Sequence, residues 1–246
     1  FNNLNLAGLN KLERQNEQED EKKIDFLLEG LLNGHIMLTD IYNKGMFETD
    51  VMVEEFRLND NGYGDVRILS VWDNASKLAG ISLRNNKDGV NTFTVDGNYD
   101  PAEKQIDLLA EVKEMPLDIL NLFLKSFASD VEGLGSGSVE IKSDRGEMSL
   151  QGSVMAENAS MTIDYLQSNF SFSDSIHFAD NKLLFDNIPV RDNRNNNAML
   201  DGYVSHNNFK DWFVDLRIDA DNILAFDTRQ NDNSLFYGTA YASGLI

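Results

Sequence analysis

The stretch from Asn91 to Val112, NTFTVDGNYDPAEKQIDLLAEV, returns in altered form from Asn197 to Asp219, NAMLDGYVSHNNFKDWFVDLRID. In the first, Phe93, Val95 and Tyr99 alternate with Thr92, Thr94, Asp96 and Asn98; in the second, Ala198, Leu200 and Val204 alternate with Met199, Asp201 and Tyr203. A period of two gives a strand one mostly apolar face and one mostly polar face. Each stretch therefore reads as two strands joined by a turn. Asp96-Gly97 corresponds to Asp201-Gly202 at an offset of 202 − 97 = 105, and Ile106-Asp107-Leu108 to Val214-Asp215-Leu216 at 214 − 106 = 108, so the second turn is three residues longer. A repeated unit that cannot bury its apolar face alone predicts a stacked, elongated β architecture.

Composition narrows the partners. The chain has 246 residues, 41% hydrophobic and 10% aromatic, enough for one large β domain or two small ones. Its 41 acidic residues against 21 basic ones give a formal charge of −20. Nucleic acid is not expected as a partner, because phosphate binding requires a basic footprint, and anionic membrane surfaces would repel the chain. There is no cysteine, hence no disulfide framework, thiol nucleophile or cysteine-held metal. No apolar run approaches the roughly 20 residues that span a bilayer. The end Gly244-Leu245-Ile246 stops in mid-pattern, and the chain is expected to be an excised piece of a longer one.

Along the chain, residues 1–23 read as a leader and a mobile loop, with the polar run Glu13 to Lys23 having nothing to bury. Residues 24–114 read as a first β unit. In it Phe47, Val51 and Val53 share a side before Phe56 and Leu58 switch parity, which predicts a bulge near Glu54-Glu55. Asn59 to Asp65 reads as a turn whose oxygens could suit calcium, but without the closing glutamate of an EF-hand loop. Val66, Ile68 and Trp72, then Ile81 and Leu83, continue the alternation.

Residues 115–130 break the pattern. Leu117, Ile119, Leu120, Leu122, Phe123, Leu124 and Phe127 crowd behind Pro116, which predicts a helix of about three turns, apolar nearly all round. Such a helix has to be covered, as a cap over the β core or as a gate, with Leu120, Phe123, Leu124 and Phe127 as the contacting residues. The Gly133 to Ser138 stretch lacks the Gly-Lys-Ser/Thr ending of a phosphate loop and reads as a flexible re-entry into strands. Residues 131–246 form the second β unit, closing with a strand from Leu235 to Ile246.

No catalytic constellation stands out. His35, His177 and His206 sit in unrelated contexts, no Gly-x-Ser-x-Gly elbow occurs, and the abundant carboxylates discriminate little. No enzyme activity, cofactor or metal is expected. What remains is a large apolar surface on successive strands, either a core or the lining of an open trough.

Several short motifs in order carry a resemblance: Pro116-Leu117-Asp118-Ile119-Leu120-Asn121-Leu122-Phe123, Gly133 to Val139, Leu150-Gln151-Gly152-Ser153-Val154 and Thr162 to Leu166. Further on come Phe185 to Asp192, Leu200 to His206 and Tyr237 to Gly244. In these the chain resembles the AsmA-like superfamily and its TamB (translocation and assembly module) branch. The resemblance covers most of the chain and fades before Glu48. It implies a mainly β fold: an elongated, curved, antiparallel-rich sheet of the β-taco or half-pipe kind, with a hydrophobic groove and one short helix. It also implies a protein of the Gram-negative periplasm, anchored in the inner membrane by an N-terminal helix outside this sequence. Its implied partners are phospholipid acyl chains and an outer-membrane protein of the Omp85 family. Its implied roles are inter-membrane lipid transport and outer-membrane biogenesis. The expected groove lining is Val95, Leu108, Ala110, Leu150, Val154, Ile163, Phe172, Leu200, Val204, Leu216 and Ile218. A scaffold for nascent outer-membrane proteins, acting by β-augmentation, is the alternative within the family. An extracellular β-solenoid adhesin or carbohydrate-active enzyme is the alternative outside it.

Overall fold

A computed structural model describes residues 1–8, 27–39, 46–59, 61–124, 127–144, 147–207, 210–232 and 235–245. Among them the chain is mainly β, with fourteen antiparallel strands in one sheet whose order follows the chain. The first seven are β1 (Leu4–Asn5), β2 (Leu28–Thr39), β3 (Met46–Leu58), β4 (Asn61–Asp73), β5 (Leu78–Asn86), β6 (Phe93–Asp100) and β7 (Gln105–Pro116). The others are β8 (Ala128–Asp144), β9 (Glu147–Ile163), β10 (Ser168–Asp180), β11 (Lys182–Asp192), β12 (Asn197–Asn207), β13 (Lys210–Thr228) and β14 (Gly238–Leu245). The chain divides into two compact units, one of Phe1–Lys113 with Glu140–Met148, the other of Glu114–Val139 with Ser149–Ile246.

Local chemistry sets the turns. Asp73 opens the β4–β5 turn by accepting from the N–H groups of Ala75 and Ser76 and from Ser76 Oγ, and Asp100 opens the β6–β7 turn by accepting from Ala102 and Glu103. Both turns close on a lysine in the left-handed region, Lys77 at φ 62° and Lys104 at φ 56°. An aspartate that bonds the backbone two and three residues on mimics a turn and so nucleates one.

The repeat read from sequence is present in the ladder. Gly97 pairs with Leu108 in the β6–β7 hairpin, and Gly202 pairs with Leu216 in the β12–β13 hairpin. A Cβ at Gly97 would lie 2.1 Å from Asp107 O, and one at Gly202 would lie 2.2 Å from Asp215 O. Both hairpins therefore need the bare backbone at the same place. The left-handed residue Glu114 recurs as Asn222 at 222 − 114 = 108, the offset of the outgoing strands.

The bulge expected near Glu54-Glu55 is found between Val53 and Phe56, with Glu55 at φ 51° and its N–H bonded to Asp65 Oδ1 at 2.9 Å. The same device recurs elsewhere. Asn158 in β9, Asn187 in β11 and Asn222 in β13 are left-handed at register shifts, and each switches the parity of its strand. Hydroxyls of the next strand accept the freed N–H groups, Ser173 that of Asn158 at 2.8 Å and Ser243 that of Asn222 at 2.9 Å. These parity switches keep apolar residues on one face along long strands.

Four expectations change. The helix is shorter than three turns: a 3-10 turn at Leu117–Leu120 followed by one α turn at Asn121–Leu124. Four described helical residues after a tight first turn leave too few backbone bonds for a longer helix to propagate. The Gly133 to Ser138 stretch is no loop but the interior of β8, where Gly135 leaves the space that the Leu117 side chain and Val154 occupy. At the start of the chain Leu4 and Asn5 pair with Leu32 and Leu31, so the described part of the leader holds a two-residue edge strand, followed by a 3-10 turn at Leu6–Gly8. The polar run Glu13 to Lys23 lies outside the described residues. The last strand begins at Gly238 rather than Leu235, whose side chain is 86% exposed.

Candidate functional site

In the first unit, cross-strand register places two rows on one face: Thr49, Ser70, Ile81, Gly97 and Leu108, and beside them Val51, Ile68, Leu83, Val95 and Ala110. Residues directly opposite in a ladder share a face, so Val95, Leu108 and Ala110 lie together as expected. All three are half-buried. The core of this face is Leu6, Val53 and Val66, with Leu28, Leu32, Phe56, Ile68, Leu83 and Phe93 packed around them. Buried Asn85 closes one end of it. Its Nδ2 donates to Tyr63 O and Thr92 Oγ1, each at 2.8 Å, and its Oδ1 accepts from the N–H groups of Thr92 and Phe93. That uses all four hydrogen-bonding positions of the amide.

The opposite face of the first unit is charged. Arg67 grips Asp50 through Nε and Nη2 at 3.0 and 2.9 Å, and Arg84 grips Asp96 at 3.0 and 3.1 Å. The hydrogen bond from Arg67 holds the Asp50 carboxyl below its ordinary value, and that from Arg84 does the same for Asp96. These exposed pairs fix which face meets water more than they stabilise the fold.

In the second unit the corresponding face holds Ala159, Phe172, Val190, Ala198 and Ala220 in one row and Ile188, Leu200 and Ile218 in the next. Further along the strands come Val154 opposite Ile176, Leu183 opposite Val204, and Gly202 opposite Leu216. Ile163 shares the face through Met161 and Phe170. The sheet curls here. Strands three apart in a flat sheet are separated by about 14 Å, yet Cα atoms of β10 and β13 approach within 8 Å. Asp227 N–H bonds Leu166 O in the β9–β10 turn at 3.0 Å, and the Phe127 ring meets Trp212 edge-on with centroids 5.7 Å apart.

The curl buries Ile176, Ile188, Val190, Ala198, Ala220 and Ile223 as a dry core. Leu150, expected in the lining, is 5% exposed and belongs to the buried interior. Val154, Ile163, Phe172, Leu200, Val204, Leu216 and Ile218 are half-buried, and Val214 on the same face is 57% exposed. The apolar face is thus sealed at its centre and open to water along the rows beside it.

Of the residues expected to cap or gate, Leu120 is 36% exposed, Leu124 is half-buried, and Phe127 packs on Trp212. The Phe123 side chain lies outside the described residues. The segment is held by Asn121, whose Oδ1 accepts from Val131 N–H at 3.1 Å while its Nδ2 reaches Val131 O at 3.4 Å. One side-chain amide so pairs with a residue of β8 as a neighbouring strand would.

His35 and His177 are exposed, and His206 is 4% exposed, 5.1 Å from the Trp212 ring. Burial pushes the His206 imidazole below its usual value. Among the described residues no group of three His, Cys, Asp or Glu could hold a metal, and no helix is long and apolar enough to cross a membrane. Ser70 on the apolar face of the first unit and Trp212 on that of the second are residues that the pattern does not single out. Ser70 had a signal, a polar side chain on the parity of Val66, Ile68 and Trp72. Comparison of the chain with family profiles, with curated proteins and with solved structures gives no match.

Proposed function

We propose that the apolar face of each unit receives the hydrocarbon chains of a lipid and shields them from water. The observation that carries this reading is that Phe172, Leu200 and Ile218 pack against the buried core of the second unit while keeping part of their apolar surface in water. Each methylene brought out of water contributes roughly 0.8 kcal/mol, so even a shallow apolar face lowers the cost of carrying an acyl chain. Within each unit an apolar face spread over several strands suits movement of a chain along it, since apolar contact has no preferred position. With the resemblance to AsmA-like proteins, the chain is proposed to be a segment of a periplasmic protein of a Gram-negative bacterium. In that proposal an inner-membrane anchor lies outside this sequence and the outer-membrane partner is of the Omp85 family. The test is solvent extraction of the purified chain followed by mass spectrometry. Co-purifying phospholipid, or uptake of a fluorescent fatty acid by delipidated protein, is the expected result; a chain that carries no lipid and takes up none overturns the proposal.

A further inference from the structure

We propose that the Ser70 hydroxyl is a hydrogen-bonding seat for the carbonyl oxygen of a fatty acyl ester, so that the first unit's face favours esterified chains over plain hydrocarbon. The inference rests on the acyl-binding reading above and deepens it. Ser70 lies in the middle of the face, opposite Thr49 on β3 and Ile81 on β5, with Ile68 and Trp72 on the same side of its own strand. It is 4% exposed, and its Oγ has no hydrogen-bond partner. A buried hydroxyl left unpaired is costly, and native interiors satisfy nearly all such groups. The contrast with Asn85 on the same face is direct, since that amide uses every position it has.

An unpaired donor among apolar side chains is what an ester requires. Its carbonyl oxygen accepts one hydrogen bond, and its chain needs only apolar contact, which half-buried Ile68, Leu83 and Val95 supply in the adjoining row. Reaching Oγ requires a neighbouring side chain to yield, and half-buried Thr49 and Trp72 flank it. An alkane would fill the same space and leave the hydroxyl unpaired. The face would therefore discriminate by the polar end of the ligand rather than by the length of its chain.

The experiment measures displacement of a polarity-sensitive fluorescent fatty acid from the wild-type chain, Ser70→Ala and Ser70→Thr, using methyl decanoate and undecane as competitors of equal carbon count. The expected result is an ester-to-alkane affinity ratio that falls about fivefold in Ser70→Ala and is restored in Ser70→Thr. Thermal melting of Ser70→Ala at or above the wild-type temperature confirms that the variant is folded. An unchanged ratio in Ser70→Ala overturns the role of Ser70 and leaves the acyl-binding reading standing. If neither competitor displaces the probe from the wild-type chain, both fall together.

Discussion

The backbone N–H of Leu224 donates to Asp192 Oδ2 at 2.8 Å, tying the middle of β13 to the end of β11. Leu224 is fully buried and Asp192 is 4% exposed, so the bond lies beyond the reach of water. The same carboxylate accepts from the N–H groups of Arg194 and Asn196 and from Asn196 Nδ2. One side chain so organises the β11–β12 turn and anchors the curl of the second unit.

Asp192→Ala leaves the Leu224 N–H buried and unpaired, and the chain should lose about 2–3 kcal/mol, read by urea denaturation. The pH dependence follows from the same contacts. Burial raises the Asp192 carboxyl, but the bonds from Asn196, Leu224 and Arg194 outweigh it and hold it below the ordinary carboxylate range. A carboxyl depressed in the folded state adds stability above its unfolded value and loses it as pH falls through its folded value. The advantage of wild type over Asp192→Asn should therefore be full at neutral pH and shrink in acid, below the unfolded carboxylate value. An advantage that grows in acid contradicts this assignment.

Gly202→Ala should cost about 2 kcal/mol or more, since its Cβ would lie 2.2 Å from Asp215 O on a backbone at φ 122°. Gly97→Ala should cost a similar amount for the same contact with Asp107 O. Gly62, with nothing within 4 Å of a Cβ, is the control, and Gly62→Ala should stay within about 0.5 kcal/mol of wild type. Thermal melts of the three variants side by side decide whether the two hairpins are equivalent.

The bulges make a third prediction. Ser173→Ala removes the acceptor of the Asn158 N–H and should cost about 0.5–1 kcal/mol, because the site is exposed and water partly substitutes. Glu55 carries its left-handed φ of 51° against the preference of its side chain. Glu55→Gly should therefore be neutral or stabilising by about 0.5 kcal/mol. Glycine at Met52, an ordinary ladder position, should destabilise by about 1 kcal/mol.

Ligand binding should follow the parity of the strands. Val95→Asp and Leu200→Asp put a charge on the apolar face and should reduce fluorescent fatty acid uptake at least tenfold. Thr94→Asp and Met199→Asp, one residue away on the opposite face, should leave uptake unchanged. Circular dichroism melts keep loss of binding apart from loss of fold. Equal effects at neighbouring positions would rule out a one-sided site.

Much of this was legible in the residues. Alternation of period two places Phe93 with Val95 on one face of the first unit and Leu200 with Val204 on one face of the second, and the parity switch at Glu54-Glu55 marks a bulge, because both are local consequences of strand geometry. The bulges at Asn158 and Asn222 are not legible in the residues, since a parity switch inside one long strand looks the same as a turn between two short ones. Leu150 was placed in the lining although it is core: periodicity gives the face of a residue, while its depth depends on how far the sheet curls. The helix was overestimated because a run of leucines and phenylalanines signals burial without fixing length. Ser70 was passed over because an alternation is counted by its apolar members.

A sheet whose strands lie in chain order lets each strand find its ladder partner in the segment just made. Each hairpin can dock on the one before it as synthesis proceeds, because every strand pairs with its neighbours in the chain. It also means that duplicating or deleting a hairpin changes reach without rewriting the strands already in place, so length itself becomes a property that selection can adjust in small steps.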